Sequence, residues 1–339
     1  MAGEHDTRLV EAASDGDPEA YRGLVERHGA EIHAHCYRML GSLHDAEDAL
    51  QETLLRAWQG LPRLSRRSSL RNWLYRIATN VCLDALTNRQ KRALPIDHGA
   101  LAGTDEDPSE PLAESAWIEP YPDGELEEGL AAPEARYERR EAVELAFIAA
   151  LQHLPPRQRA VLVLREVLGF SAREVAETMD STVASVNSSL QRARATVEKR
   201  LPERSQQATV RSLGSARVRR LVERFIDAFE RGDVDGILAM LTQDATFAMP
   251  PYARLYRGRQ EIAASWLMPA PPCTELRYLS ASANCQPAIG AYRWDDGARS
   301  FRPIALDVLT LHGEAIGAVT AFRAPSLLER FGLPGELGR

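Results

Sequence analysis

The stretch Asp45-Ala-Glu-Asp-Ala-Leu-Gln-Glu-Thr-Leu-Leu-Arg-Ala-Trp58 sets carboxylates and large apolar groups at helical spacing. Asp45, Asp48 and Glu52 stand three and four apart, which lines them along one helix face. Gln51, Leu55 and Trp58 lie near that row. Ala46, Ala49, Leu50, Thr53, Leu54 and Ala57 recur on another face and can dock on neighbouring helices. Carboxylates beside exposed apolar groups suit the docking of a partner protein. The plainer alternative is a solvated acidic helix.

A second group of residues carries nucleic-acid chemistry. Between Arg63 and Arg92 the chain places Arg63, Arg66, Arg67, Arg71, Arg76, Arg89, Lys91 and Arg92 against Asp84 alone. Arginine and lysine neutralise phosphates, giving salt-dependent affinity without sequence preference. Asn72 and Asn80 add amides that can read a base edge, and an unstacked base can be held beside them. A third group follows the capping box Ser171-Ala-Arg-Glu174 and the turn Asp180-Ser-Thr182. Beyond that turn Thr182, Ser185, Asn187, Ser188, Gln191, Arg192 and Arg194 take the outward positions of a helix whose inner face is Val183, Val186, Leu190, Ala193 and Val197. Polar groups early on such a helix suit base edges, and arginines further along suit phosphates.

These groups need scaffolds. Residues from about Asp17 to Arg92 read as consecutive helices. Leu70, Trp73, Leu74, Ile77, Ala78, Val81 and Ala85 form the inner face of the helix that carries Arg71, Asn72, Arg76 and Asn80. Val143 to Leu154 gives another stripe, stopped at Pro155-Pro156. A helix through Val161, Leu164 and Leu168 ends at Gly169, as a C-cap should. Short helix, tight turn and longer helix then make a helix-turn-helix.

The chain of 339 residues has a net charge of -7, unevenly spread. Thirteen acidic residues oppose Arg136 and Arg139 between Asp97 and Arg139. Pro108, Pro111, Pro120, Pro122 and Pro133 interrupt that run, which reads as an extended connector. Within it, Trp117-Ile-Glu-Pro-Tyr-Pro122 looks like a short docked segment. Cys36, Cys82, Cys273 and Cys285 have no metal-ligand spacing and read as reduced thiols. No apolar run reaches the length of a membrane span, and the start lacks a signal-peptide core, so a cytoplasmic location is expected.

After residue 201 the pattern changes. Gln206 to Ser215 reads as a second linker, and Leu221, Phe225, Ile226, Ala228 and Phe229 form an amphipathic helix stopped at Gly232. Beyond Ile262-Trp266-Leu267 the period changes to two: Ile304, Leu306 and Val308 alternate with Ala305, Asp307 and Leu309, and Leu276–Ala283, Ile289–Trp294 and Ala315–Phe322 are further strand-like runs. Helices before strands give an α+β domain.

The docking stretch, the basic loop and Ser69-Leu-Arg-Asn-Trp-Leu-Tyr-Arg-Ile-Ala-Thr-Asn80 together resemble sigma-2 of the extracytoplasmic-function subfamily of sigma-70 factors. Ala142 to Leu201, with Leu154-Pro155-Pro156-Arg157-Gln158-Arg159, Gly169-Phe170-Ser171 and Leu190-Gln-Arg-Ala-Arg194, resembles sigma-4. Asn187 and Ser189 depart from it, since Lys and Arg are common there. Residues from Arg219 to Pro251 are similar to the SnoaL-like branch of the nuclear-transport-factor-like cone.

The resemblance implies a multidomain fold: two all-α helical domains, sigma-2 and a sigma-4 helix-turn-helix, then an α+β cone-shaped SnoaL-like domain. Boundaries are expected at 1–95, 96–139 (acidic linker), 140–204, 205–215 (linker) and 216–339. It implies core RNA polymerase and promoter DNA as partners. Asp45, Asp48, Gln51, Glu52, Leu55 and Trp58 would dock on the polymerase. Arg63, Arg66, Arg67, Arg71, Asn72, Arg76 and Asn80 would engage the -10 element. Thr182, Ser185, Asn187, Ser188, Gln191, Arg192 and Arg194 would read the -35 element. The SnoaL-like domain would regulate in cis, with Asp244, Asp307 and Trp266 as a candidate ligand pocket for a small molecule. No enzyme activity, metal or cofactor is expected. The competing readings are a ligand-sensing repressor or activator and a sigma factor with an enzymatic third domain; the docking helix argues against the first.

Overall fold

The computed structural model describes residues 2–64, 69–87, 92–94, 117–124, 141–252, 255–264 and 275–338. They form two compact units, one built from the N-terminal part to Arg92 and residues 125–201, the other from residues 93–124 and 202–339.

The first unit is helical. Helix α1 spans Ala2–Ser14, α2 Pro18–Leu40, α3 Leu43–Gly60 and α4 Leu70–Leu86. Their starts are set by side-chain caps. Asp17 accepts from Glu19 and Ala20, Ser42 from Asp45 and Ser69 from Asn72, satisfying amides that have no partner inside the helix. Helix α2 ends at Gly41, whose φ of +70° suits glycine, and a Cβ there would also stand 3.0 Å from the Gln152 side chain. The buried residues Ala46, Ala49, Thr53 and Ala57 on α3 lie on the face that the apolar spacing predicts; on α4 Leu74, Ala78 and Val81 do so too, but Tyr75, Thr79 and Cys82 are buried as well, because a second side of that helix is covered.

Helices α5 (Leu145–Gln152), α6 (Pro156–Leu162), α7 (Ala172–Thr178) and α8 (Val183–Glu198) complete the unit. A π turn, Val163–Val167, extends α6 toward Gly169 at φ +72°. The Ser171–Glu174 capping box forms in both directions and opens α7, while Thr182 caps α8 by accepting from the Ser185 amide. The two halves of the unit are joined by buried arginines. Arg159 donates to the Met39 carbonyl at the end of α2, and to Gln152 Oε1 at 2.6 Å and the Gln152 carbonyl at 3.2 Å. Arg38 Nε donates to the Ala142 carbonyl at 3.2 Å.

The second unit holds a sheet of six strands among its described residues, in the order β2-β1-β6-β5-β4-β3. The strands are β1 Leu241–Ala248, β2 Leu255–Arg257, β3 Leu276–Ala283, β4 Gln286–Asp295, β5 Ser300–His312 and β6 Ala315–Phe322. Strands β1 and β6 run parallel and the other pairs antiparallel. Helices α9 (Gln206–Leu213), α10 (Ser215–Arg231), α11 (Val234–Met240) and α12 (Gly258–Ile262) precede or interrupt the strands. Phe225 and Phe229 of α10 pack with Ile289, Ala291, Ala305, Leu309, Val319 and Ala321, covering one sheet face. The tail Pro325–Phe331 turns back toward the sheet, where Leu328 and Leu333 pack over Gly290, so that a Cβ there would meet Leu333 Cδ1 at 2.5 Å and push that side chain aside.

Two expectations change here. Residues 206–213 are not an open linker: Ser205 caps them as a helix, and Gln206 Nε2 donates to the Leu311 carbonyl while its Oε1 accepts from the Leu311 amide. Buried glutamines that satisfy strand ends leave little hydrophobic signal, so the segment reads as polar linker. The segment Trp117–Asp123 belongs to this second unit. Ile118 and Tyr121 are fully buried, the Trp117 indole donates to the Pro251 carbonyl at 2.8 Å, and Pro122 bridges Ala283 at the end of edge strand β3. The amide of Cys285 donates to Asp123 Oδ1 at 2.6 Å. No helix among the described residues is long and apolar enough to cross a membrane.

Candidate docking and nucleic-acid interfaces

Helix α3 turns Asp48, Gln51, Leu55 and Trp58 to solvent, with Glu52 half-exposed among them. Leu55 is 52% exposed and Trp58 36%, two large apolar groups one helical turn apart beside the carboxylates, as suits a docking face. Trp58 packs edge-on against Tyr21 with ring centroids 4.8 Å apart, so its orientation is fixed before any partner arrives. Glu52 accepts from Arg56 Nε at 2.7 Å. Asp45 stands apart from this row. Its carboxylate pairs with Arg92 at 2.7 Å, and both side chains are nearly buried, 13% and 8% exposed. Helical spacing placed Asp45 with Asp48 and Glu52; the partner 47 residues away turned it inward.

On α4, Arg76 and Asn80 are exposed, and Arg63 is exposed at the end of the turn Leu61–Arg63. Arg66 and Arg67 lie outside the described residues. Arg71 and Asn72 are only half-exposed, because the second half of the unit covers them. The Asn72 amide donates to Glu174 Oε1 at 2.9 Å, which holds that carboxyl below the usual range, helped by the Ser171 amide and hydroxyl. The Arg71 guanidinium lies over the Tyr75 ring at 5.0 Å and the Phe170 ring at 4.6 Å, and donates to the Leu168 carbonyl at 3.2 Å. Beneath it His35 is buried, with its pKa lowered to about 3 by burial and then by Arg38 and Arg71, so it stays neutral beside these cations.

Helix α8 exposes Thr182, Ser185, Asn187, Ser188, Gln191, Arg192 and Arg194. Arg192 hydrogen-bonds Ser188 Oγ at 2.6 Å and so stays close to its own helix. Arg194 pairs with Glu166 at 2.7 Å, which offsets part of its charge. A groove of about 730 Å³ is lined by Arg76, Asn80, Arg157, Met179, Ser189 and Arg192, among others. Asn80 of α4 and Arg192 of α8 therefore share one cavity. Glu174 was read from the sequence only as part of a capping box, and Phe170 and Arg159 only within the sigma-4 resemblance; their role in tying the two halves together, and that of Arg38, was not foreseen. A charged residue at the buried position between Pro155-Pro156 and Ala160-Val161 is the one hint for Arg159.

In the second unit the three pocket candidates do not converge among the described residues. Asp244 is exposed on β1, and Trp266 lies outside the described residues. Asp307 is buried at 4% exposure on β5, opposite Ile289 and Ala321. Strand alternation puts it on the face of Ala305 and Leu309, which α10 covers. Its Oδ1 has no hydrogen-bond partner, and burial pushes its pKa up to about 7 against the pull of Arg323.

Comparison with known proteins agrees with this layout. Residues 24–92 match the family model described as Sigma-70 region 2, residues 144–197 Sigma-70, region 4, and residues 222–308 SnoaL-like domain. The ECF RNA polymerase sigma factor SigG of Mycobacterium tuberculosis (strain ATCC 25618 / H37Rv) is 42% identical over 92% of this chain and 84% of its own length. The ECF RNA polymerase sigma factor SigW of Bacillus subtilis (strain 168) is 28% identical over 57% of this chain and 95% of its own. In fold, the crystal structure of the Mycobacterium tuberculosis extracytoplasmic function sigma factor SigJ superposes with a TM-score of 0.59 at 21% identity, covering 92% of this chain and 99% of that one. The chain belongs to the extracytoplasmic-function family of RNA polymerase sigma factors.

Proposed function

We propose that this sigma factor docks on core RNA polymerase through the α3 face Asp48, Gln51, Glu52, Leu55 and Trp58, and that Asp45 supports this face from within. The observation that carries the reading is the exposure of Leu55 and Trp58 beside those carboxylates on a helix that is otherwise well packed. Arg63, Arg66, Arg67, Arg71, Asn72, Arg76 and Asn80 engage and open the -10 element. Thr182, Ser185, Asn187, Ser188, Gln191, Arg192 and Arg194 read the -35 duplex.

The SnoaL-like domain acts in cis through the connector between the two helical domains. Trp117, Ile118 and Tyr121 are buried in its unit, so it holds the middle of the chain that links α4 to α5. Its role is regulatory rather than catalytic. A small-molecule ligand is favoured by one observation, the buried carboxyl of Asp307 with an unpartnered oxygen. Run-off transcription with core polymerase on a genomic fragment library tests the whole reading. It predicts discrete start sites that require the full chain, and output that changes several-fold when the chain is cut after Gln206.

A further inference from the structure

A strongly basic surface lies outside the two helical domains. From Arg204 to Arg224, the residues Arg204, Arg211, Arg217, Arg219, Arg220 and Arg224 stand against Glu223 alone, in a chain whose net charge is -7. All of these are exposed, on α9, on α10 and just before α9. Arg217 pairs with Glu314 at 3.0 Å, and Arg204 and Arg211 each donate to a backbone carbonyl. Arg219, Arg220 and Arg224 make no hydrogen bond or ion pair among the described residues.

Helix stability does not account for these three. The first turn of α10 carries no acidic residue, and cations near the positive end of a helix dipole oppose it. Packing does not account for them either, since Val222, Phe225, Ala228 and Phe229 on the other face of α10 are the residues buried in the core. What remains is a set of guanidinium groups carried on a packed helix and left without an acceptor. Phosphate oxygens match that donor geometry.

Connectivity supplies the polyanion. Leu201 ends the first unit and α9 begins at Gln206, so only Pro202-Glu-Arg-Ser205 joins the basic surface to the domain that carries α8. A stretch of that length spans at most about 14 Å. Resting on the sigma-factor reading above, we infer that the α9–α10 face binds the backbone of the promoter duplex upstream of the -35 element, with Arg219, Arg220 and Arg224 neutralising phosphates. The contact carries no base readout, and it gives the SnoaL-like domain a DNA-binding activity beside its role in cis. The 17 residues of α10 are about 25 Å long, roughly seven base pairs at 3.4 Å per step, which is room for three phosphate contacts.

Promoter fragments obtained in the run-off experiment are compared as two duplexes, one ending at the upstream edge of the -35 element and one extended by about 15 base pairs, roughly 50 Å. The full chain bound to core polymerase should gain about tenfold in affinity from the extension, whatever the sequence added. The triple variant Arg219→Gln, Arg220→Gln, Arg224→Gln should gain less than about twofold, with a salt slope lower by about 2 to 3, as for three lost phosphate contacts. Any contact that polymerase itself makes with the extension is common to both chains. Removing three charges at other exposed positions of the domain, by Arg257→Gln, Arg293→Gln and Arg299→Gln, should leave the gain intact. An equal gain in wild type and the first triple variant, or an equal loss in the second, overturns the proposal. So does weaker core binding by the first triple variant with unchanged length dependence, which would turn the face toward polymerase. A chain that selects no promoter with core polymerase would instead refute the sigma-factor reading, and the salt slope of the full chain on plain duplex DNA, wild type against the first triple variant, still decides the basic face.

Discussion

The amide of Tyr121 donates to Asn284 Oδ1 at 2.8 Å, and the amide of Asn284 returns the bond to the Tyr121 carbonyl at the same distance. Asn284 and Cys285 form the β3–β4 turn with φ of 53° and 55°, a two-residue loop with both residues left-handed. The turn thus aims two amides and one side chain at the connector between the helical domains.

Asn284→Gly keeps the left-handed turn and deletes the side-chain acceptor. The connector should then undock more often, and chymotrypsin should cut after the buried Trp117 several-fold faster at unchanged thermal stability of the sheet. Protection equal to wild type would mean that burial of Ile118 and Tyr121 alone holds the segment.

On promoter DNA, Asn80→Ala should impair opening of the -10 element on duplex templates more than on pre-melted ones. Arg192→Ala should weaken -35 binding and reduce the salt slope by about one, as for a single lost phosphate contact. Equal loss on both templates for Asn80→Ala would move its role from base capture to folding or to polymerase docking.

Asp307 makes stability fall as pH rises. Its folded pKa of about 7 lies above the ordinary carboxylate value of 3.8, so between these values the folded chain holds a proton that the unfolded chain releases. Stability from this group is full below the lower value, declines through the interval, and is lost above the folded pKa. The difference is on the order of 4 kcal/mol. Asp307→Asn should flatten the pH dependence of the third-domain unfolding transition between pH 4 and 8 and raise stability at the alkaline end. A variant with the wild-type pH profile would show that Asp307 ionises freely.

Much of this was legible because it is local. The 3.6-residue spacing on α3, α4 and α8, the Ser171 capping box, the stop at Gly169 and the alternation of β5 are written within a few residues of each other. What was hidden is non-local. Arg92 lies 47 residues from Asp45, and Glu174 lies 102 residues from Asn72, so no window shows either pair. The pocket reading was weakest for a similar reason. Asp244 and Asp307 are alike in sequence, and only tertiary packing leaves one exposed and the other buried. The helical α9 was missed because its buried side chains, Gln206 and Gln207, are polar.

The central claim is that α3 presents a polymerase-docking face, and the affinity of the full chain for purified core RNA polymerase tests it most directly. Leu55→Arg and Asp48→Arg change exposed side chains and should leave thermal unfolding within about 0.5 kcal/mol of wild type. The account predicts that wild type binds core and that each variant loses at least about tenfold, the cost of one central contact in a docking interface. Wild-type affinity in both variants, or no binding by the intact chain, would contradict it.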